Sequence, residues 1–490
     1  MSKVLFTHSY FYRFDKKQWE SKHYYPPLGT ITAASFVREK GYNVQLFDTN
    51  LAHSPQEIIP ILEDFEPEFL VIYDDGFNYL TKMCLSLMRE AAFELIEIGK
   101  KYNCKIIVSS SDSTDHFKTY LSKGADIILL GEAEESLYEV LNAYQNEAVD
   151  FHIIKGIVFE KEDRILNTGR RAVIENLDSL PMAAWDLIEM EAYQKEWKLN
   201  KGYFSLNIAT TRGCPYSCNW CAKPIFGKKY NSRSPQQVVQ EIEFLINKYE
   251  ARYFWICDDI FGLDSGWVQE FRNLVIERKL EFKYTMQSRV DVMLKDDSIS
   301  ALAESGLDIV WIGAESGSQK VLDSMDKGIT VEQIYEARKR LKENDVRVAF
   351  FLQFGYPGED FEDIKATQKM LFDLMPDDMG ISVSYPLPGT KFYENVKNEL
   401  NFKSNWTDSD DLALMFKNTF SAKFYKVLHR YMHKKFRKKQ GFEKLKQFIK
   451  DPAKNSKGII RTLAAILYYI PMTLIYRAMM KIVRMQNSNK

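Results

Sequence analysis

Three cysteines carry the clearest chemistry of this chain. Cys214, Cys218 and Cys221 stand in Thr-Arg-Gly-Cys-Pro-Tyr-Ser-Cys-Asn-Trp-Cys, a C-x3-C-x2-C spacing on a loop after a predicted strand. Thiolates gathered this way can hold a [4Fe-4S] cluster, which takes one Cys per iron. With three supplied, the fourth iron is open to a small molecule. A structural zinc site or uncommitted thiols are the alternatives. Structural zinc, however, closes with four Cys or His ligands, and the nearest histidines, His152 and His429, are remote in sequence. Cys84, Cys104 and Cys257 are isolated and read as buried thiols.

The elements that must position this loop alternate in type. Up to about residue 145, short apolar runs at Val4, Asn43, Phe69, Lys105 and Ala125 are separated by helical spacings, the pattern of a parallel doubly wound sheet. No G-x-G-x-x-G follows the first strand, which counts against a dinucleotide. Residues 149–200 read as a connector with a small hairpin from Gly156 to Leu166. From Leu206 a second series begins, with strands predicted near 206–212, 252–258, 282–288, 308–314, 347–354 and 380–385. Six such units make a partial (β/α)6 barrel, whose chemistry belongs on the loops after its strands. The cysteine loop follows the first of them.

With these motifs the sequence resembles the radical S-adenosylmethionine (radical SAM) superfamily, in its subfamily with an N-terminal cobalamin-binding domain. The resemblance implies a Rossmann-like cobalamin domain at 1–148, the connector at 149–200, a radical SAM barrel at 201–395 and a helical basic region at 396–490. It also implies roles for single residues. In Ile256-Cys-Asp-Asp-Ile-Phe, Asp258 and Asp259 would accept from the methionine amine of S-adenosylmethionine, and in Ser288-Arg-Val-Asp291 Arg289 would offer its fork to the carboxylate. Glu315 and Ser316 would meet the ribose or the methionine part, and the Phe354–Glu359 segment, with Gly355, would pack the adenine. Tyr385–Thr390 would close the site.

In the first domain, Tyr25, Pro27 and Gly29 of Tyr-Pro-Pro-Leu-Gly, and Gly131 and Glu132 of Gly-Glu-Ala-Glu-Glu, match the cobalamin domain at its two ends; Pro181–Asp186 matches its linker. Two departures matter. The D-x-H-x-x-G signature is absent, and the expected glycine-rich loop is replaced by Ser109-Ser-Ser-Asp-Ser-Thr-Asp115, which contains Ser110. His116 beside it reads as a helix-surface histidine.

What the resemblance implies is a cofactor set of [4Fe-4S] cluster, S-adenosylmethionine and cobalamin. A 5'-deoxyadenosyl radical would take hydrogen from an unactivated carbon, and methylcobalamin would methylate it. The rival outcomes are a non-methylating rearrangement or oxidative cyclisation, and a membrane-associated corrinoid or cluster-binding protein without turnover. A reductant such as a flavodoxin or ferredoxin is expected as partner.

Bulk properties set the location. Few, irregularly spaced cysteines and an N-terminus that enters a strand directly predict a cytoplasmic protein without export. The net charge of -1 conceals an asymmetry: residues 423–490 hold eighteen Lys or Arg against Glu443 and Asp451, a net of +16, and the rest carries -17. The tail is predicted helical from Trp406. Its uncharged run Thr462–Tyr476 is flanked by Arg461, Arg477, Lys481 and Arg484 and is too short to span a bilayer. An anionic membrane at the inner face is the expected partner of 423–490, and a lipid-like substrate fits that location. Capping of the barrel and nucleic acid are the lesser readings; no RNA-binding module accompanies the charge.

Overall fold

The computed structural model describes residues 2–146, 150–221, 225–400, 405–452 and 458–488. Its first sheet contains β1 (Lys3–Thr7), β2 (Asn43–Phe47), β3 (Phe69–Tyr73), β4 (Lys105–Ser109), β5 (Ile127–Leu129), β6 (Ile157–Lys161) and β7 (Arg164–Asn167), in the order β2-β1-β3-β4-β5-β6-β7. The first five run parallel. β3, Phe-Leu-Val-Ile-Tyr, is buried throughout, as a central strand covered by helices on both faces must be. Helices 59–65, 86–101 and 117–122 pack on one face and helices 28–39 and 134–145 on the other. The strand order reverses between β1 and β3, and the crevice for a ligand opens at their carboxyl ends. Ser9 and Asp74 bridge that crevice, the Asp74 carboxylate accepting from the Ser9 amide at 2.7 Å and its hydroxyl at 2.9 Å.

The hairpin assigned by sequence to the connector belongs instead to this sheet. β6 pairs antiparallel with β5, and β7 with β6. Val158 and Phe159 fill the cores on the two faces, which is what draws the hairpin in.

The second sheet is the partial barrel. β8 (Ser205–Ile208), the short ribbon β9 (Thr211–Arg212) and β10 (Asn231–Ser232), then β11 (Tyr253–Ile256), β12 (Lys283–Ser288), β13 (Leu307–Glu315), β14 (Arg347–Phe354) and β15 (Asp378–Val383) follow in turn. The six long strands lie parallel in the order β8-β11-β12-β13-β14-β15, with β8 and β15 as the free edges. The outer helices follow local rules. In Pro235–Tyr249 the Ser234 side chain accepts from the Gln237 amide, Pro235 opens the first turn, and Val238, Ile242, Leu245 and Ile246 form the buried stripe. Across β8, Asn207 donates to the Pro26 carbonyl at 3.0 Å and Tyr25 meets Ser205 at 3.3 Å, so the first domain covers that edge.

The linker clasps both halves. Ser35 donates to the Met182 carbonyl at 2.7 Å, Arg38 forks onto Asp186 at 2.7 and 3.0 Å, and the buried Trp185 indole donates to Glu241 of the barrel at 2.9 Å.

The tail differs from expectation at its start and in its length. Residues 405–421 are irregular, and the helix begins at Ala422, where Ser421 caps the Phe424 amide. It runs to Lys450, followed by a 30-residue helix, Ile459–Ser488, that carries Pro471 inside. The uncharged run is thus the middle of a longer helix.

Trp185→Ala removes a buried aromatic body and leaves Glu241 without its indole donor. A loss of about 3–5 kcal/mol is expected. Chemical denaturation should show an earlier first transition; an unshifted curve would refute the clasp.

Candidate active site

Contacts from the barrel hold the cysteine loop in place. Asp258, fully buried after β11, accepts from the Thr210 amide at 2.7 Å, the Thr210 hydroxyl at 2.5 Å and the Thr211 amide at 3.1 Å. Burial pushes its carboxyl up to about 6 against these donors. Gly213 takes φ 80°, and a Cβ there would lie 1.9 Å from the Lys229 carbonyl, so only glycine can begin the loop. Asn219 pins its middle: the side chain donates to the Ser324 carbonyl at 2.7 Å and accepts from Tyr356 at 2.7 Å, while the backbone bonds Met325 and Phe392.

Cys214, Cys218 and Cys221 form no disulfide and are partly exposed. Among the described residues no three Cys, His, Asp or Glu side chains converge closely enough for one metal ion. Three thiols on one loop suit a cluster in which each binds its own iron.

Buried cations surround them. Arg289 lies 3.7 Å over the Tyr216 ring and donates to the Cys218 sulfur at 3.4 Å, to Asp291 at 2.9 Å and to the Lys327 carbonyl at 2.7 Å. Lys327, almost fully buried, pairs with Glu315 at 2.8 Å. Burial opposes its ammonium, yet Glu315 and Cys218 together hold its pKa above the ordinary lysine value. Lys82 of the first domain meets Asp259 at 2.5 Å, and its charge is favoured, against burial, by Asp259 and by Cys221. A thiolate-bound cluster is a concentrated negative charge, so these cations match it.

The residues expected to meet S-adenosylmethionine lie in unlike surroundings. Asp258 is occupied by backbone amides and a threonine rather than facing outward. The Arg289 fork is taken by Asp291 and a cysteine sulfur. Ser316 is buried and bonded to Thr367 and to the Ser318 amide, behind the site. Gly355 packs on the ring of Tyr425 from the tail, its amide donating to Glu359 at 2.7 Å. Asp259 and Glu315 lie near the cysteines through their lysines. Lys82 and Lys327 were missed: a lone lysine carries no local signal of burial. Lys82 sits in a short 3-10 helix, Thr81–Met83, ended by Cys84 at φ 54°.

At the other face of the loop lies the crevice of the first sheet. Gly29, Asp74, Ser109 and Glu134 line one wall, and Arg212, Ile225 and Phe226 the other. Phe77 stacks on Phe226 at 5.0 Å. Arg212, two residues before Cys214, is buried between Glu132 and Glu134, with 2.8 Å to the latter. Glu132 also accepts from the Ile174 amide at 2.6 Å. Burial pushes the Asp74 carboxyl up to about 6. Thr7 Oγ1, Ser111 Oγ and Glu134 Oε2 are buried without a hydrogen-bond partner, all beyond the carboxyl ends of the strands. Orphaned polar atoms there fit a polar ligand with many hydrogen-bonding groups.

Gly29 approaches that wall closely, its amide donating to Asp75 at 2.9 Å, and Gly131 takes φ 74° beside the Ile225 carbonyl. Pro27 starts the 28–39 helix, and Tyr25 faces β8 instead of the crevice. Ser110 is consumed as a cap, its hydroxyl accepting from the Ser113 amide at 2.8 Å. The serine-rich loop is therefore a short helix, tied down by Asp112, which accepts from Arg89 at 2.7 Å and from Tyr120 at 2.8 Å. His116 ends it half-buried, its pKa lowered by burial.

The description "Radical SAM superfamily" matches residues 208–371. Residues 208–371 thus form a radical SAM domain. An uncharacterized methyltransferase of Pyrococcus horikoshii is 27% identical over 83% of this chain and 86% of the relative. The anaerobic magnesium-protoporphyrin IX monomethyl ester cyclase of Cereibacter sphaeroides is 30% identical, over 56% of this chain and 45% of the relative, so less than half of that protein is spanned. The structure of the radical S-adenosylmethionine methyltransferase TsrM from Kitasatospora setae, with cobalamin and a [4Fe-4S] cluster bound, aligns with a TM-score of 0.66 and 17% identity over 81% of this chain and 78% of that one. The fold they share covers both sheets. The protein is an enzyme, and its radical SAM domain implies a [4Fe-4S] cluster and S-adenosylmethionine as cofactors.

Burial raises Glu359 to about 8, and its Oε1 has no partner. A carboxyl raised in the folded chain contributes stability below the unfolded value of 4.5 and loses it as pH climbs toward 8. Glu359→Gln keeps an acceptor for Gly355 and cannot ionise. Its melting temperature should rise above that of the parent at pH 8 and match it near the unfolded value, at about 1.4 kcal/mol per pKa unit. Parallel melting curves at both pH values would refute the protonated carboxyl.

Proposed function

We propose that this radical SAM enzyme is cobalamin-dependent and methylates an unactivated carbon of an apolar, lipid-like small molecule. One observation carries the reading: the buried Arg212 joins the root of the cysteine loop to Glu132 and Glu134 at the crevice of the first sheet. Two cofactor sites thereby share one wall.

In this reading Cys214, Cys218 and Cys221 hold the cluster. When bound, the cluster supplies the electron that cleaves S-adenosylmethionine and cobalamin supplies the methyl carrier. The protein's own groups do the rest. Arg289 and Lys327 balance the thiolate charge at Cys218, and Lys82 does so at Cys221. Asp259 and Glu315 hold those lysines in place and, with S-adenosylmethionine present, are the acceptors available to its polar groups. Gly29, Gly131 and the orphaned hydroxyls of Thr7 and Ser111 receive the corrinoid. Phe77, Phe226 and Ile225 keep water from the contact.

A flavodoxin or ferredoxin is the proposed electron donor, and the inner face of a membrane the proposed location. The similarity to the cyclase supports a second reading, oxidative ring formation without methyl transfer.

Anaerobic holoprotein with a strong reductant should form 5'-deoxyadenosine. Cys214→Ala, Cys218→Ala and Cys221→Ala should each abolish it, and cleavage retained in any of them overturns the assignment. With a methyl-deuterated donor, methylation adds three deuteriums to the product; a product lighter by hydrogens and free of label selects the cyclisation.

A further inference from the structure

The helix Ile459–Ser488 is apolar on two opposite sides. Ile466, Thr473, Met480 and Val483, three to seven residues apart, are buried along the seam with the helix Ala422–Lys450. At that seam Gly441 lets the backbones approach: a Cβ there would lie 2.7 Å from Ile466. The opposite stripe, Ile460, Leu463, Leu467, Leu474, Ile482 and Met485, faces outward, with Ile460 at 80% and Leu467 at 72% exposure. Residues 459–486 are long and apolar enough to cross a membrane. A helix apolar all round has its second side in another apolar medium.

Charge decides which medium, and how it is entered. The helix carries Arg461, Arg477, Lys481 and Arg484 with no acidic residue, and Ala422–Lys450 holds eleven Lys or Arg against Glu443. That basic helix is fixed to the barrel: Arg437 meets Asp378 at 2.7 Å and Gln440 donates to the Asp377 carbonyl at 2.7 Å. The outer helix is fixed in turn. Lys434 donates to Tyr468 at 3.2 Å, and Arg484 stacks 3.7 Å over Phe361, just beyond the loop that carries Gly355. Crossing a bilayer would drag the basic helix into hydrocarbon or break the seam.

We propose that Ile459–Ser488 seats the enzyme on an anionic lipid bilayer, lying in the plane of the interface with the Leu467–Leu474 stripe among the acyl chains and the arginines and lysines at the headgroups. Arg484 over Phe361 sets the far end of the helix beside the loop after β14, so that end brings the rim of the site to the bilayer. This deepens, and for its purpose rests on, the proposed apolar substrate, which would enter from the side.

The test floats full-length anaerobic holoprotein with phosphatidylcholine vesicles, with and without phosphatidylglycerol. Anionic vesicles should carry at least about tenfold more protein, and salt should reverse this. The double variant Leu467→Glu, Leu474→Glu changes only exposed side chains; it should lose that binding while still forming 5'-deoxyadenosine. Unchanged flotation of the variant, or equal binding to neutral vesicles, overturns the proposal. Binding that resists alkaline carbonate would make the helix a span and also overturn it. So would a dimer in light scattering that the variant dissolves, with no vesicle binding. Failure to form 5'-deoxyadenosine with vesicle binding intact would count against the proposed reaction alone.

Discussion

One buried arginine ties the molecule together. Arg212 stands at the root of the cysteine loop, shielded from water between two carboxylates of the first domain and beside the rings of Phe77 and Phe226. Removing one partner of such a group leaves an uncompensated buried charge, at a cost of about 3–5 kcal/mol. The domains therefore cannot separate or slide without that penalty. Burial holds the Glu132 carboxyl above its usual range despite the arginine beside it.

The same economy of charge governs the far side of the loop. Asp291, Asp259 and Glu315 each fix one cation, and each cation turns toward a cysteine. Each of these carboxylates thus aims a positive group. Asp258 does the parallel service for backbone, taking the amides of Thr210 and Thr211 so that the strand can turn outward into the loop.

This explains what could be read from the chain alone. The cysteine spacing, the alternation of strands and helices, and the placing of motifs at strand ends all follow from local pattern, and the two sheets agree with them. Partner choice does not. Whether Arg289 meets a sulfur or Ser316 a threonine depends on residues dozens of positions away, as does the burial of Lys82 against Asp259 of the barrel. The hairpin of β6 and β7 and the strand β5 are both legible in the sequence, yet their pairing is not, because pairing is a tertiary fact. The last helix was measured by its charge-free stretch, whereas Arg461 and Arg477 can point sideways without ending it.

The open barrel has a consequence for biosynthesis. Its first edge, β8, meets Tyr25 and Pro26, which leave the ribosome long before it. Its last edge, β15, packs with Ala422–Lys450, which emerges only afterwards. A nascent chain thus passes through a stage with one unpaired strand edge uncovered, the kind of surface that recruits other strands. Translation pausing or a chaperone acting between those two points would protect this protein where it is most prone to misassembly.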